Sequence, residues 1–248
     1  MKFSNNVYKF SLKEDSMTTL VGIRADKITP ESKNKGIVLA SDLSRTQDRW
    51  NVQGDQAYRQ QTRSEGQKIY TDDKGELALC MSGVVDQQYI DFLSEVLRGR
   101  IDFRAAIKDS YLSELFNLNL KRWGGMVPNN ENLNSLLVAT RFDNSPKLYT
   151  CYPLGKVEER SWTSIGSGSG YALNHIQKKG NLIPEYLSLH EGVDLAVSAL
   201  EEAAQDLYTG GADLTVITPT EIKQYGETIK ARVSEAQKQA VAEIKKQL

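Results

Sequence analysis

The hydrophobic period of this chain switches in blocks, and the order of those blocks constrains the fold more than any single residue does. Residues 18–23 are rich in β-branched side chains and read as a strand, and residues 36–41 are nearly all apolar and read as a buried strand. Between them, residues 26–35 form a polar turn containing Pro30. Residues 68–70 and 77–82 flank Asp73, Lys74 and Gly75, a hairpin signal. The stretch 46–67 is polar and charged and reads as a loop, with Trp50 and Tyr58 as its aromatics. The period then becomes helical. Val85, Tyr89, Phe92, Leu93, Val96 and Leu97 share one face, and Phe103, Ile107, Tyr111, Leu115 and Leu118 make a second helix. Residues 135–142 and 147–152 are strands around a turn at 143–146. Residues 171–178 are helical, and Val193, Ala196, Leu200, Ala203 and Leu207 form another helix face, ended by Gly210 and Gly211. A late strand at 214–218 and a charged, weakly amphipathic helix at 229–248 complete the chain. Strands grouped in hairpins and helices grouped in pairs indicate layers rather than alternating βαβ units, with two packed sheets and helix pairs outside.

Composition narrows the chemistry. The 248 residues and 27.8 kDa suit one substantial core, or at most two small domains. The formal net charge of −1 disfavours a non-specific nucleic-acid binder. Only 2 His and 2 Cys occur, which removes most metal, disulfide and His-based catalytic schemes. Cys80 and Cys151 are far apart and suit a reducing compartment; His175 and His190 read as surface or helix-capping residues. No run of 18 apolar residues offers a transmembrane span, and residues 1–16 lack the apolar core of a secretory signal. A cytoplasmic protein with no metal, cofactor, membrane or nucleic-acid partner is the expectation.

Thr18 and Thr19 open the first strand. A threonine hydroxyl is a poor nucleophile until a base takes its proton. Without histidine, the residue's own α-amine can serve, since its unperturbed pKa of about 8 suits a general base at neutral pH. That chemistry requires Thr18 to be the first residue of the mature chain. Taken alone, the two threonines are equally ordinary β-formers.

The ordered set of segments around them resembles the proteasome β-subunit family of N-terminal-nucleophile hydrolases. The segments are 18–23, 36–42, 68–70, 81–86, 166–172, 191–196, 206–213 and 214–218, so the resemblance covers about residues 18–218. It implies an α+β fold, a four-layer αββα sandwich of two antiparallel sheets flanked by helix pairs. It implies a threonine-type endopeptidase that cleaves unfolded polypeptides inside a ring of like subunits, homo- or hetero-oligomeric, with a regulatory ATPase controlling entry. It also implies roles for particular residues. Thr18 takes the place of the nucleophile, Asp42 that of its acidic partner, and Lys68 that of the lysine beside the hydroxyl. A cation there would stabilise the alkoxide and hold the neighbouring amine neutral; Asp42 would keep it paired. Read without the resemblance, Asp42 and Lys68 are a plain salt bridge. Gly83 matches the glycine whose N–H forms the oxyanion hole. Ser167 and Asp206 match supporting groups near the amine. Thr209 stands where the family commonly has serine and keeps the hydroxyl. Thr46 matches a threonine that binds the substrate backbone, and Met81 falls where a residue shapes the pocket for the side chain before the cleaved bond. Methionine there suggests an apolar preference.

The run Gly166-Ser167-Gly168-Ser169-Gly170 fails both the nucleophile-elbow and the dinucleotide patterns and reads as a tight strand-to-helix turn. One departure matters most. The family places Gly before its nucleophile, and here the residue is Met17. Either translation starts at Met17, or residues 1–17 form a propeptide or N-terminal extension cleaved at Met17–Thr18. The hydrolase domain then spans 18–225, and 226–248 is a C-terminal helix. A non-catalytic, unprocessed ring subunit is the competing reading. The joint presence of Asp42, Lys68, Ser167 and Asp206 argues against it.

Overall fold

The computed structural model describes residues 15–16, 18–53, 56–65, 68–84, 87–108, 135–152, 156–180, 182–205, 212–225 and 235–247. Among the described residues thirteen strands follow in chain order. They are β1 (Asp15–Ser16), β2 (Thr19–Ala25), β3 (Gly36–Ser41), β4 (Ser44–Gln53), β5 (Gln56–Glu65), β6 (Ile69–Thr71), β7 (Leu77–Val84), β8 (Ser135–Thr140), β9 (Lys147–Cys151), β10 (Val157–Glu159), β11 (Trp162–Gly166), β12 (Asp213–Ile217) and β13 (Ile222–Gln224). The helices are α1 (Gln87–Leu97), α2 (Phe103–Lys108), α3 (Ser169–Lys178), α4 (Leu189–Ala203) and α5 (Glu235–Gln247).

Two antiparallel sheets form the centre. One has the order β11-β2-β3-β12-β13. The other has the order β1-β7-β8-β9-β10, with β6 also on β7. Every residue of β3 and of β12 is buried, as the unbroken apolar run in β3 requires. Three hydrophobic layers hold the stack together. Leu20, Leu39, Ile69, Cys80, Leu137 and Leu148 pack between the sheets. Val21, Ile23, Ala172, Ile176, Val193 and Leu200 pack the first sheet against α3 and α4. Leu79, Leu93, Leu97, Phe103, Leu136 and Val138 pack the second against α1 and α2. Helices thus cover both outer faces, and the four-layer αββα sandwich is observed.

Helix α4 starts four residues before its expected first apolar contact. Ser188 caps it: its hydroxyl accepts from the Glu191 N–H, while the Glu191 carboxylate accepts from the Ser188 N–H at 2.8 Å. The Ser188 N–H, together with the Ser188 hydroxyl that also donates to the carboxylate at 2.8 Å, lowers the Glu191 carboxyl below its ordinary value. The helix ends at Ala203 rather than near Gly210 and Gly211, which lie outside the described residues. The strand expected to reach Phe142 stops at Thr140, where a short 3-10 turn takes over at Phe142–Asn144. Of the helix expected at 103–118, residues 109–118 lie outside the described residues.

The loop expected at 46–67 is a correction. Residues 44–53 and 56–65 form an antiparallel ribbon with ten residues on each strand. Its sequence gives no alternating apolar signal, and the strands are defined by their main-chain pairing.

Candidate active site

One edge of β7 brings the site together. β6 pairs along its middle, with Ile69 opposite Cys80, and β1 pairs at its end, with Ser16 opposite Gly83. Carrying each register inward brings both Thr18 and Lys68 level with Met81. There the chain leaves β7 and crosses into the first sheet as β2. Residues 50 apart in sequence therefore meet by sheet pairing.

Thr18 is 0% exposed, and the Lys68 ammonium donates to its hydroxyl oxygen at 2.8 Å. Lys68 also donates to both oxygens of Asp42, at 3.0 and 2.9 Å. Asp42 is 0% exposed and Lys68 5%. At such a distance and an effective dielectric near 20, the attraction is about 6 kcal/mol, set against the loss of water around both charges. Asp42 Oδ1 also accepts from the Thr19 N–H at 2.7 Å, and the Asp42 N–H donates to the Thr19 carbonyl at 3.0 Å. These bonds tie the ion pair to the start of β2. The arrangement places a cation against one threonine hydroxyl, where it can stabilise negative charge that develops on that oxygen.

The turn after β11 grips the same two threonines. Ser167 donates its N–H to the Thr18 carbonyl at 2.9 Å, and Gly168 donates its N–H to the Thr19 hydroxyl at 3.1 Å. Gly166 makes this possible. Its φ is +100°, and a Cβ there would stand 1.5 Å from the Thr18 carbonyl oxygen. Gly166→Ala is therefore expected to lose at least about 2–4 kcal/mol of stability. Gly170→Ala, inside α3 with nothing within 4 Å, should be neutral or stabilise by about 0.5–1 kcal/mol. Urea midpoints of the two variants give the comparison, and equal midpoints would refute the steric account.

The other candidates divide. Gly83 lies in β7 with φ +101°, a conformation that favours glycine, and pairs with Ser16. Met81 is half-buried and packs on the cluster that contains Leu79 and Leu93. Ser167 is exposed and reaches Thr18 through its backbone. Thr46 lies in β4, two residues into the ribbon. Asp206 and Thr209 lie outside the described residues. His175 joins α3 to α4 through the Ser198 hydroxyl at 3.0 Å, and His190 sits in the first turn of α4. Cys80 and Cys151 are buried free thiols; burial pushes Cys80 far up and Cys151 up to about 12, so both stay protonated. Among the described residues no group of three or more His, Cys, Asp or Glu side chains is placed to hold a metal ion, and no described helix is long and apolar enough to cross a membrane.

Asp213 was not singled out by the sequence. It is 1% exposed, stands opposite Ser41 in the β3–β12 register, and among the described residues no side chain hydrogen-bonds either carboxyl oxygen, the Leu214 N–H being the one group that offsets its burial. Burial pushes its carboxyl up to about 6. Folding thus favours the neutral acid. The resulting stability is full below the unfolded value of 3.8 and is lost as pH rises through 6, about 3 kcal/mol in all. Asp213→Asn should remove this slope. Relative to wild type, its urea midpoint is expected to rise between pH 4 and pH 7; a constant difference would refute the assignment.

With this geometry in view, comparisons with known proteins converge on one family. The family model described as proteasome subunit matches residues 130–217. Proteasome subunit beta 1 of Thermococcus kodakarensis is 35% identical over 81 residues, which is 32% of this chain and 38% of that one. Proteasome subunit beta 2 of Aeropyrum pernix is 34% identical over 85 residues, 34% of this chain and 37% of that one. Proteasome subunit alpha of Methanocaldococcus jannaschii is 32% identical over 84 residues, 34% of this chain and 31% of that one. The matches span less than half the length of these relatives. Together with the two-sheet sandwich, these matches make the chain similar to proteasome subunits, beta and alpha alike, over about a third of its length.

Proposed function

We propose that the chain is a threonine endopeptidase of the proteasome β type, with Thr18 as its nucleophile once residues 1–17 are removed. The observation that carries this reading is the Lys68 ammonium held 2.8 Å from the Thr18 hydroxyl by a buried Asp42. The Thr18 oxygen attacks a peptide carbonyl, and its proton passes to the freed α-amine. The tetrahedral oxyanion takes the Gly83 N–H. The C–N bond breaks as the ammonium returns the proton to the leaving amine, which leaves an ester on Thr18. Water then attacks the ester, giving its proton to the α-amine, and the Thr18 oxygen is released and reprotonated. By the family resemblance, Ser167, Asp206 and Thr209 support the amine, Thr46 holds the substrate backbone and Met81 shapes an apolar pocket. Release of residues 1–17 uses the same oxygen: it attacks the Met17 carbonyl, the Met17–Thr18 C–N bond breaks as its nitrogen takes the hydroxyl proton and becomes the free α-amine, and water then cleaves the Met17 ester, returning a proton to the Thr18 oxygen. The substrates are unfolded polypeptides. The working form is a ring of such subunits in the cytoplasm, homo- or hetero-oligomeric, with an ATPase controlling entry, and it needs no metal or cofactor.

A second reading is an unprocessed structural subunit. It is favoured by one observation: β1 is seated on β7 immediately before a fully buried Thr18. Intact mass of the assembled particle separates the two. A chain that begins at Thr18 supports the peptidase, and a chain that retains residues 1–17 supports the structural subunit.

A further inference from the structure

Thr19 takes no part in the chemistry above, yet its side chain and both of its main-chain groups are bonded to the site. Its N–H donates to Asp42 Oδ1 at 2.7 Å, and its carbonyl accepts from the Asp42 N–H at 3.0 Å. Its hydroxyl accepts from the Gly168 N–H at 3.1 Å, and the residue is 0% exposed. Thr19 therefore joins the acid that holds Lys68 to the turn that leads from β11 into α3. In that turn the preceding N–H, from Ser167, donates to the Thr18 carbonyl at 2.9 Å. Two successive N–H groups of one turn thus grip two successive residues. The main-chain bonds of Thr19 are open to almost any residue, but the bond to Gly168 needs a hydroxyl. Strand propensity does not ask for one, since valine suits a buried strand as well. A buried hydroxyl is costly unless it is hydrogen-bonded, so its contribution here lies in the grip on the turn.

That grip matters most once residues 1–17 are gone. β1 leaves with them, and Thr18 becomes a chain end. Chain ends are poorly ordered unless they are tied down. The pairing of β2 begins at Thr19 on β11 and at Leu20 on β3, so Thr18 stands outside both ladders. Its oxygen and its new amine must still keep their places beside Lys68, and a misplacement of about 1 Å can cost about 10²-fold in rate. An anchor on the adjacent residue leaves the shortest length of chain free to move. We propose that Thr19 is a positioning residue for the Thr18 chemistry: its hydroxyl fixes the 166–168 turn against the new chain end and so holds the Thr18 oxygen and amine in place beside Lys68. The proposal rests on Thr18 being the nucleophile. It also separates two steps that use the same oxygen. During release, Thr18 is held by the chain on both sides and the Thr19 hydroxyl contributes little. In every later turnover it is held from one side, and the hydroxyl carries the positioning.

Two variants of the full chain test it. Thr19→Val keeps the shape of the side chain and removes the hydroxyl; Thr19→Ser keeps the hydroxyl and removes the methyl group. Release of residues 1–17 is followed by intact mass, and kcat and KM are measured with a short fluorogenic peptide. In Thr19→Val, release is expected within about two-fold of the wild-type rate, while kcat falls about 10- to 100-fold and KM moves by less than about two-fold. Thr19→Ser is expected to restore kcat to within about three-fold of wild type. A merely structural hydroxyl would slow release and turnover alike, so equal losses in the two steps overturn the proposal. A Thr19→Val kcat within about two-fold of wild type overturns it as well, as does a Thr19→Ser variant as slow as Thr19→Val. If Thr19→Val does not fold, Thr19→Ala removes the hydroxyl without refilling its place and is measured in the same way. Loss of fold in both variants overturns the proposal, because the hydroxyl then supports the sheet and not the chain end. Failure of the Thr18 reading looks different and overturns both: wild type itself retains residues 1–17, or Thr18→Ala keeps full turnover.

Discussion

Thr18→Ala is expected to reduce hydrolysis of short fluorogenic peptides to background, a loss of at least about 10³-fold. The Lys68 ammonium donates to the Thr18 hydroxyl, so the change removes the oxygen that the cation contacts. The same change should leave residues 1–17 attached, because release uses the same oxygen. The fold should survive. Thr18 loses one accepted hydrogen bond and a methyl group in a closed site, about 1–3 kcal/mol against the whole sandwich. Thr18→Ser keeps the oxygen that Lys68 contacts and should retain measurable hydrolysis and release. Intact mass and peptide turnover of the three proteins check the set. Turnover in Thr18→Ala equal to wild type would remove Thr18 as the nucleophile. Loss of turnover in Thr18→Ala with full activity in Thr18→Ser would confirm it.

The layers of this fold were legible because burial writes itself into hydropathy. β3 is apolar up to Ser41 and buried throughout, and β12 is buried throughout around Leu214, Val216 and Ile217. The ribbon was not legible for the converse reason. Gln, Arg, Ser and Thr alternate with one another along β4 and β5, so no period of two rises above the background. The start of α4 near His190 was legible, and Ser188 and Glu191 stand at capping-box spacing ahead of the apolar face. At the site, Asp42 and Lys68 are separated by 26 residues and Thr18 and Lys68 by 50. No spacing rule reaches that far, and only the family resemblance named them together. The turn at 166–170 was correctly placed, but the reason it needs glycine was not visible: the obstacle is a carbonyl almost 150 residues earlier in the chain. Asp213 gave no sign at all, because a carboxyl at the head of an apolar strand reads as an ordinary polar boundary until its burial is known.

Lys68→Met should separate the two meanings of the buried ion pair. Methionine has nearly the length of lysine and no charge. It leaves the Asp42 carboxylate at 0% exposure without the ammonium that bonds both of its oxygens. Breaking one side of such a pair costs about 3–5 kcal/mol. Adding Asp42→Asn should restore most of that loss. The amide oxygen still accepts from the Thr19 N–H, which lies 2.7 Å from Oδ1, and no buried charge remains. If the pair were only a structural salt bridge, the double variant would regain both stability and activity. If Lys68 instead holds charge against the Thr18 oxygen, stability returns while peptide hydrolysis stays at least about 10³-fold down. The interaction energy from urea midpoints of the four proteins should exceed about 2 kcal/mol in either case. Activity therefore decides the role, and hydrolysis within ten-fold of wild type in the double variant would reduce Lys68 to a structural partner.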